Sequence, residues 1–111
     1  MAERIGPEQG REILRDGGAL FIDVRDPDSH RQARIPGALP LSQAGLEAFL
    51  AATDRAQPLV VYCYHGHSSQ SASDFLNDQG FQSVVSLDGG FEYWRQAYPD
   101  QVETGGDDLA G

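Results

Sequence analysis

The sequence contains no lysine, only one cysteine and no long apolar run. Its eight cationic side chains are all arginines and face seventeen carboxylates, which gives a formal net charge of −9. The absence of lysine excludes a Walker-type phosphate loop and Schiff-base chemistry, and the shortage of cations argues against a basic face for nucleic acid. A lone cysteine forms no intramolecular disulfide, which fits a reducing compartment. No run is long enough to span a membrane, and residues 1–4 do not resemble a signal peptide. We therefore expect a cytoplasmic protein that binds neither nucleic acid nor membrane.

Length and composition predict one small globular domain. The 111 residues are 40% hydrophobic and 23% charged, a balance typical of a folded chain with one modest core. Residues 101–111 are acidic, rich in glycine and nearly free of apolar side chains, which is typical of disorder. The sequence therefore predicts a single domain over residues 1–100 and a disordered tail over residues 101–111.

The secondary-structure pattern alternates between strands and helices. Apolar runs without strict alternation predict strands buried on both faces at 19–24, 38–41, 59–62 and 84–87, with a weaker strand near Arg4 and Ile5. Helical spacing of apolar residues, bounded by proline and glycine, predicts helices at 7–16, 27–33, 43–52, 69–79 and 90–97. We therefore predict an α/β fold with a mainly parallel, five-stranded sheet and helices on both of its faces.

The one cysteine, Cys63, is the strongest candidate for chemistry. It follows the predicted strand at 59–62 directly, and a short loop with a central glycine leads from it into a helix. Active sites of parallel sheets lie beyond the carboxyl ends of the strands, and loop N–H groups together with a helix N-terminus favour a thiolate. A free cysteine is also a common core residue, but this position favours a nucleophile.

The residues that follow complete a candidate site, which we call the Cys63 loop (residues 63–69). Gly66 permits backbone angles that let successive N–H groups point inward and form a nest for an anion. Ser68 and Ser69 can cap the following helix and also line this nest. The loop is therefore expected to bind negative charge mainly through its backbone.

Metal binding and a free arginine are less favoured explanations of the polar residues nearby. Cys63, His65 and His67 offer three possible metal ligands, but a fourth ligand with the usual spacing is missing, so we expect no metal site. Arg25 ends the first long strand beside two aspartates. We expect it to form a structural ion pair with a neighbouring carboxylate rather than to bind a substrate anion.

Four motifs occur in the order in which the rhodanese family of sulfurtransferases carries them. They are Asp23-Val24-Arg25, Ile35-Pro36-Gly37-Ala38, the Cys63 loop with Gly66, and Asp88-Gly89-Gly90-Phe91-x-x-Trp94. The chain therefore resembles this family over residues 19–98. The resemblance implies that Cys63 is the sulfur-carrying nucleophile and that no cofactor takes part. The residues whose amides would then hold the thiolate and the persulfide are Tyr64, His65, Gly66, His67, Ser68 and Ser69.

The resemblance also implies a reaction and its partners. Cys63 would take the sulfane sulfur of thiosulfate, release sulfite and hold a persulfide, in a two-step transfer. The sulfur would then pass to cyanide in an assay, or to a dithiol protein such as thioredoxin in the cell. Ser68 stands where many members carry an arginine, which leaves the loop backbone as the main anion binder.

Two other functions remain open from the sequence. A Cdc25-like phosphatase or arsenate reductase shares the rhodanese fold but needs an arginine six residues after the cysteine, where this chain has Ser69. A non-catalytic or sulfur-relay module that docks a partner protein would keep the fold without turnover. Hydrolysis of an aryl phosphate would indicate the first function, and partner binding without sulfur transfer the second.

Overall fold

A five-stranded sheet forms the centre of the fold, and each of its strands runs parallel to its neighbours. The computed structural model describes residues 2–105. Across the sheet the strands lie in the order β1 (Glu3–Ile5), β6 (Val84–Leu87), β5 (Leu59–Tyr62), β2 (Leu20–Asp23) and β4 (Leu39–Pro40). The predicted fold class is confirmed, and the weakly indicated first strand belongs to the sheet.

The helices of the described residues lie close to the predicted positions. They are α1 (Pro7–Asp16), α2 (Pro27–Gln32), α3 (Leu46–Ala52), α4 (Ser68–Asp78) and α5 (Gly90–Ala97), followed by a short 3-10 turn at Pro99–Gln101. Helix α3 begins later than predicted, because the amides of Gly45 and Leu46 first donate to the carbonyls of Ser42 and Gln43 in tight turns. Within the described residues, no helix has the length and apolar character needed to cross a membrane.

Side chains of the central strands point alternately to two apolar clusters, one on each face of the sheet. On one face Val60 and Tyr62 pack with Phe91 and Trp94 of α5, and α1 adds partly buried residues. The residues of the second cluster are Ile22, Leu59, Val61, Val84, Phe81, Phe49 of α3 and Leu76 of α4. Both faces of β5 are therefore covered, which explains why its sequence lacks the alternation of a half-exposed strand.

A small second sheet corrects the predicted start of the tail. Strand β3 (Ala33–Arg34) pairs antiparallel with β7 (Glu103–Thr104). Just before β7, the indole Nε1 of Trp94 donates to the carbonyl of Gln101 at 2.8 Å, and Arg34 Nη1 donates to the carbonyl of Gly105 at 3.1 Å. The prediction of disorder from residue 101 is therefore wrong for residues 101–105, and its remainder, 106–111, lies outside the described residues.

Candidate active site

Cys63 lies at the carboxyl end of β5, the middle strand of the five. Only 4% of the residue is exposed. The end of the neighbouring strand β2 lies beside it, since the amide of Val24, the residue after β2, donates to the carbonyl of Tyr62 at 3.0 Å. The parallel sheet thus brings the ends of β5 and β2 together around the thiol, as expected for an active site in this kind of fold.

Three hydrogen-bonding groups of the Cys63 loop converge on the sulfur. The amides of Gly66 and Ser69 donate to Cys63 Sγ at 3.2 and 3.3 Å. The hydroxyl Oγ of Ser69 lies 3.4 Å from the same sulfur. Because Ser69 is in the first turn of α4, its amide also brings the positive end of the helix dipole towards the sulfur.

These contacts determine the ionisation of the thiol. Burial by itself would raise the pKa of Cys63, but hydrogen bonds from the Ser69 hydroxyl and from the amides of Ser69, Gly66 and His65 outweigh it. The pKa of Cys63 is therefore lowered from the ordinary 9.0. A lower pKa increases the thiolate fraction at neutral pH, and the thiolate is the nucleophilic form.

Gly66 allows the loop to turn under the sulfur. Its φ is +94°, and a Cβ at this position would lie 3.0 Å from the amide nitrogen of Gly89 and 3.4 Å from the carbonyl oxygen of Leu87. A side chain would therefore be strained in its backbone angles and crowded by the turn after β6. The side chain of Gln70 donates to the carbonyl of Gly66 at 2.9 Å, and the amide of Gly66 donates to the sulfur.

The amino end of α5 holds the carbonyls of the Cys63 loop. The amides of Phe91 and Glu92 donate to the carbonyls of Cys63 and Tyr64 at 2.9 and 3.0 Å. This contact needs Gly90, because a Cβ there would lie only 2.4 Å from the carbonyl oxygen of Tyr64. A peptide N–H and the C=O of the same unit point in opposite directions, so holding the carbonyls towards α5 turns the N–H side of these peptides away from that helix.

The other predicted members of the loop lie at its surface. Tyr64, His65, His67 and Ser68 are exposed, and the Tyr64 hydroxyl contacts the carboxylate of Asp26 at the start of α2. In the described part of the chain, no hydrogen bond joins the side chains of these four residues to the sulfur. The backbone amide of one of them, His65, contributes to the lowered pKa of Cys63. Their predicted part in binding a persulfide stays a prediction.

The described residues contain no group of three or more His, Cys, Asp or Glu side chains placed to hold a metal ion. His65 and His67, the two histidines considered as ligands with Cys63, are exposed.

A buried ionic network beside the site is only partly predicted by the sequence. Asp23 accepts from Arg25 Nε at 3.0 Å and Arg25 Nη2 at 2.7 Å, which confirms the structural ion pair expected for Arg25. Asp23 also lies 2.8 Å from His30 Nδ1 and accepts from the Tyr62 hydroxyl at 3.1 Å. The guanidinium of Arg25 lies 4.3 Å from the ring centroid of Phe91, so the network supports the end of α5 that holds the loop.

Sequence reasoning missed one polar residue beneath the site, Ser86 of β6. Its Oγ lies 2.7 Å from Ser69 Oγ, and the residue is fully buried. The only available signal was a hydroxyl within the apolar run 84–87. The Ser69 hydroxyl therefore lies between Ser86 and the Cys63 sulfur and contacts both.

Known proteins resemble this chain over nearly its whole length. A family model described as "Rhodanese-like domain" matches residues 6–97. The curated thiosulfate sulfurtransferase GlpE of Stutzerimonas stutzeri is 52% identical over 101 residues, covering 91% of this chain and 92% of that protein. GlpE of Pseudomonas paraeruginosa is 50% identical over 103 residues, covering 93% of each chain.

Two solved structures resemble the fold. The crystal structure of the Alr3790 protein from Anabaena aligns with a TM-score of 0.82 at 20% identity, over 96% of this chain and 86% of that chain. Reduced Bacillus anthracis CoADR-RHD aligns with a TM-score of 0.79 at 23% identity, over 91% of this chain but 18% of that much longer chain. At these identities the likeness extends to the fold alone.

Proposed function

We propose that this chain, which belongs to the rhodanese-like domain family, is a thiosulfate sulfurtransferase that carries sulfur as a persulfide on Cys63. Curated relatives whose names state this activity share 50–52% sequence identity with the chain over nearly their whole length. The observation that carries the proposal is the convergence of the Gly66 and Ser69 amides on Cys63 Sγ. This arrangement stabilises negative charge on sulfur without a fixed cation.

The first half-reaction loads the enzyme. The Cys63 thiolate attacks the sulfane sulfur of thiosulfate, and a new S–S bond forms. The bond between the sulfane sulfur and the sulfonate sulfur breaks, and sulfite leaves with that electron pair. The product is a Cys63 persulfide whose negative charge sits on the outer sulfur, one S–S bond of about 2.0 Å beyond Sγ.

The second half-reaction unloads it. Cyanide attacks the outer sulfur, takes it as thiocyanate and returns the Cys63 thiolate. In the cell we propose a dithiol protein such as thioredoxin as acceptor: one of its thiolates takes the sulfur, and its second thiol releases hydrosulfide and closes a disulfide. The single free cysteine supports a reducing, cytoplasmic setting for this exchange.

The position of Ser69 weighs against a phosphatase. Ser69 stands six residues after Cys63, where bidentate binding of a phosphate by arginine would be required. In the fold this residue contributes an amide and a hydroxyl to the sulfur instead. We therefore expect no measurable hydrolysis of an aryl phosphate.

The test is the intact mass of the protein after incubation with thiosulfate. Wild type is expected to gain one sulfur atom and to lose it again when cyanide is added, with thiocyanate released. The Cys63→Ser variant is the matched control, because it changes one atom of the side chain and should gain nothing. A wild-type protein that folds but gains no sulfur would refute the assignment, and partner binding without thiocyanate formation would favour the non-catalytic module.

A further inference from the structure

We propose that Ser86 controls the reactivity of Cys63 through Ser69, by forming a chain of two hydroxyl groups that ends on the sulfur. Nothing in the sequence assigned a role to Ser86. The inference rests on the proposed function for its meaning in catalysis, because the same chain would serve the thiolate and the persulfide. Ser86 acts on Cys63 without touching it, so it is a positioning residue.

The two hydroxyls and the sulfur form a continuous series of contacts that is buried from solvent. Ser86 Oγ lies 2.7 Å from Ser69 Oγ, and Ser69 Oγ lies 3.4 Å from Cys63 Sγ. Both serines are 0% exposed. Ser86 is held in register opposite Val61 in the adjacent strand β5, two residues before the cysteine. Two rigid elements, β6 and the first turn of α4, thus fix the distance between the hydroxyls.

Each serine hydroxyl has one proton to donate, so the protonation state of Cys63 determines which hydroxyl donates and which accepts. When Cys63 is a thiolate, its sulfur can only accept, so the Ser69 hydroxyl donates to Sγ and the Ser86 hydroxyl donates to Ser69 Oγ. When Cys63 is a thiol, its S–H donates to Ser69 Oγ, and Ser69 donates to Ser86 Oγ. The two serine hydroxyls reverse by rotation about their C–O bonds, while the proton that the thiol loses passes to a base in the solvent.

The second hydroxyl strengthens the first. A hydroxyl that accepts a hydrogen bond becomes a better donor, because bonds in a chain polarise one another. Ser86 therefore makes the Ser69 hydroxyl a stronger donor to the negatively charged sulfur. A buried hydroxyl is costly unless it is hydrogen-bonded, and the partner that Ser86 has in the described structure is Ser69.

The fold offers a matched control in Ser73. This serine lies one helical turn after Ser69 in α4, is also 0% exposed, and its Oγ has no hydrogen-bond partner among the described residues. Removing its hydroxyl changes the same amount of buried polar surface without touching the chain. Ser73→Ala therefore controls for the loss of a buried hydroxyl in which no hydrogen bond of the described structure is broken.

The experiment measures the rate of Cys63 alkylation by iodoacetamide as a function of pH, in folded protein without thiosulfate. The midpoint reports the ionisation of the thiol directly. We expect Ser86→Ala to raise it by about half a pH unit and Ser69→Ala by about one unit. Ser73→Ala should leave it unchanged, and Ser86→Thr, which keeps a hydroxyl, should restore the wild-type midpoint.

The double variant Ser69→Ala/Ser86→Ala decides whether Ser86 acts through Ser69. If it does, the double variant has the same midpoint as Ser69→Ala alone, because the effect of Ser86 disappears when its contact is gone. Additive shifts would overturn the proposal, as would a Ser86→Ala midpoint equal to wild type or matched by Ser73→Ala. If Ser86→Ala does not fold, the pair Ser86→Thr and Ser86→Val makes the same comparison at nearly equal side-chain size.

Other ionisable groups are constant across these variants. The charged and titratable groups around the Cys63 loop lie in the loop itself and in the elements packed against it; they are Tyr64, His65, His67, Asp23, Arg25, Asp26, His30, Tyr62, Asp88 and Glu92. They contribute equally to every midpoint and cancel in the differences. Since alkylation needs neither sulfur donor nor acceptor, failure of sulfur loading in wild type would refute the proposed function while the serine chain is still measured.

Discussion

Replacing Gly66 with alanine tests whether the Cys63 loop works through its backbone. The residue has φ of +94°, where a Cβ costs about 1–2 kcal/mol. The new Cβ would also lie 3.0 Å from the amide nitrogen of Gly89, so the loop must shift by a few tenths of an ångström. We expect the free energy of unfolding of Gly66→Ala to fall by about 2 kcal/mol.

The effect on chemistry should be similar in size to the effect on stability. The Gly66 amide lies 3.2 Å from Cys63 Sγ, and a hydrogen bond to a charged group contributes about 1.5–3 kcal/mol. Because each 1.36 kcal/mol is a factor of ten in rate, displacing this amide should slow sulfur loading roughly ten- to a hundredfold. The rate of sulfur loading is measured by rapid mixing with thiosulfate and intact-mass spectrometry, and the free energy of unfolding by urea titration.

Gly17→Ala is the control for strain alone. Gly17 ends α1 with φ of +81°, and a Cβ there would meet nothing within 4 Å. It should lose about 1–2 kcal/mol of stability but load sulfur at the wild-type rate. If Gly66→Ala loads as fast as wild type, or if Gly17→Ala slows as much, the loop amide is not the source of the stabilisation.

Three other predictions follow from the contacts of the site. The rate of sulfur loading should rise with pH and level off below pH 9.0, because the pKa of Cys63 is lowered from that value; a stopped-flow pH profile checks this, and a midpoint at or above 9.0 contradicts it. Burial would raise the pKa of Asp23, but hydrogen bonds from Arg25 and His30 hold it below 3.8, so its stabilisation is present at neutral pH and is lost as the pH falls through that lowered pKa. Arg25→Ala should therefore lower the free energy of unfolding at pH 7 by about 3 kcal/mol, and by less in acid, measured by urea unfolding at both pH values. Tyr64→Phe removes an exposed hydroxyl contact and should change stability by less than about 1 kcal/mol without slowing loading.

Local signals in the sequence predicted the parts of the fold that depend on neighbouring residues. The proline at the start of α1 and the glycines after it mark both ends of that helix, and the position of Cys63 follows from the apolar run before it. The pairing of β3 with β7 was missed because each strand has only two residues and its partner is far away in the chain. Short polar segments of this kind give no periodicity to detect.

The same distinction applies to the site. Gly66 and Ser69 were predicted because they are close to Cys63 in sequence, and their amides do reach the sulfur. No spacing pattern links His30 to Asp23, yet α2 brings the His30 Nδ1 to 2.8 Å from that carboxylate. Ser86 lies in another strand, and a lone hydroxyl in an apolar run carries no spacing pattern.

The grip of α5 on the Cys63 loop has a consequence for synthesis of the protein. The carbonyls of Cys63 and Tyr64 are held by the amides of Phe91 and Glu92, which leave the ribosome almost thirty residues later. Until that helix docks, these two carbonyls lack the partners that hold them, so the N–H side of their peptides, which includes the His65 amide near the sulfur, is not yet fixed. The thiol therefore reaches its full reactivity only after α5 has been synthesised and has docked, which limits oxidation and unwanted sulfur exchange in the unfinished chain.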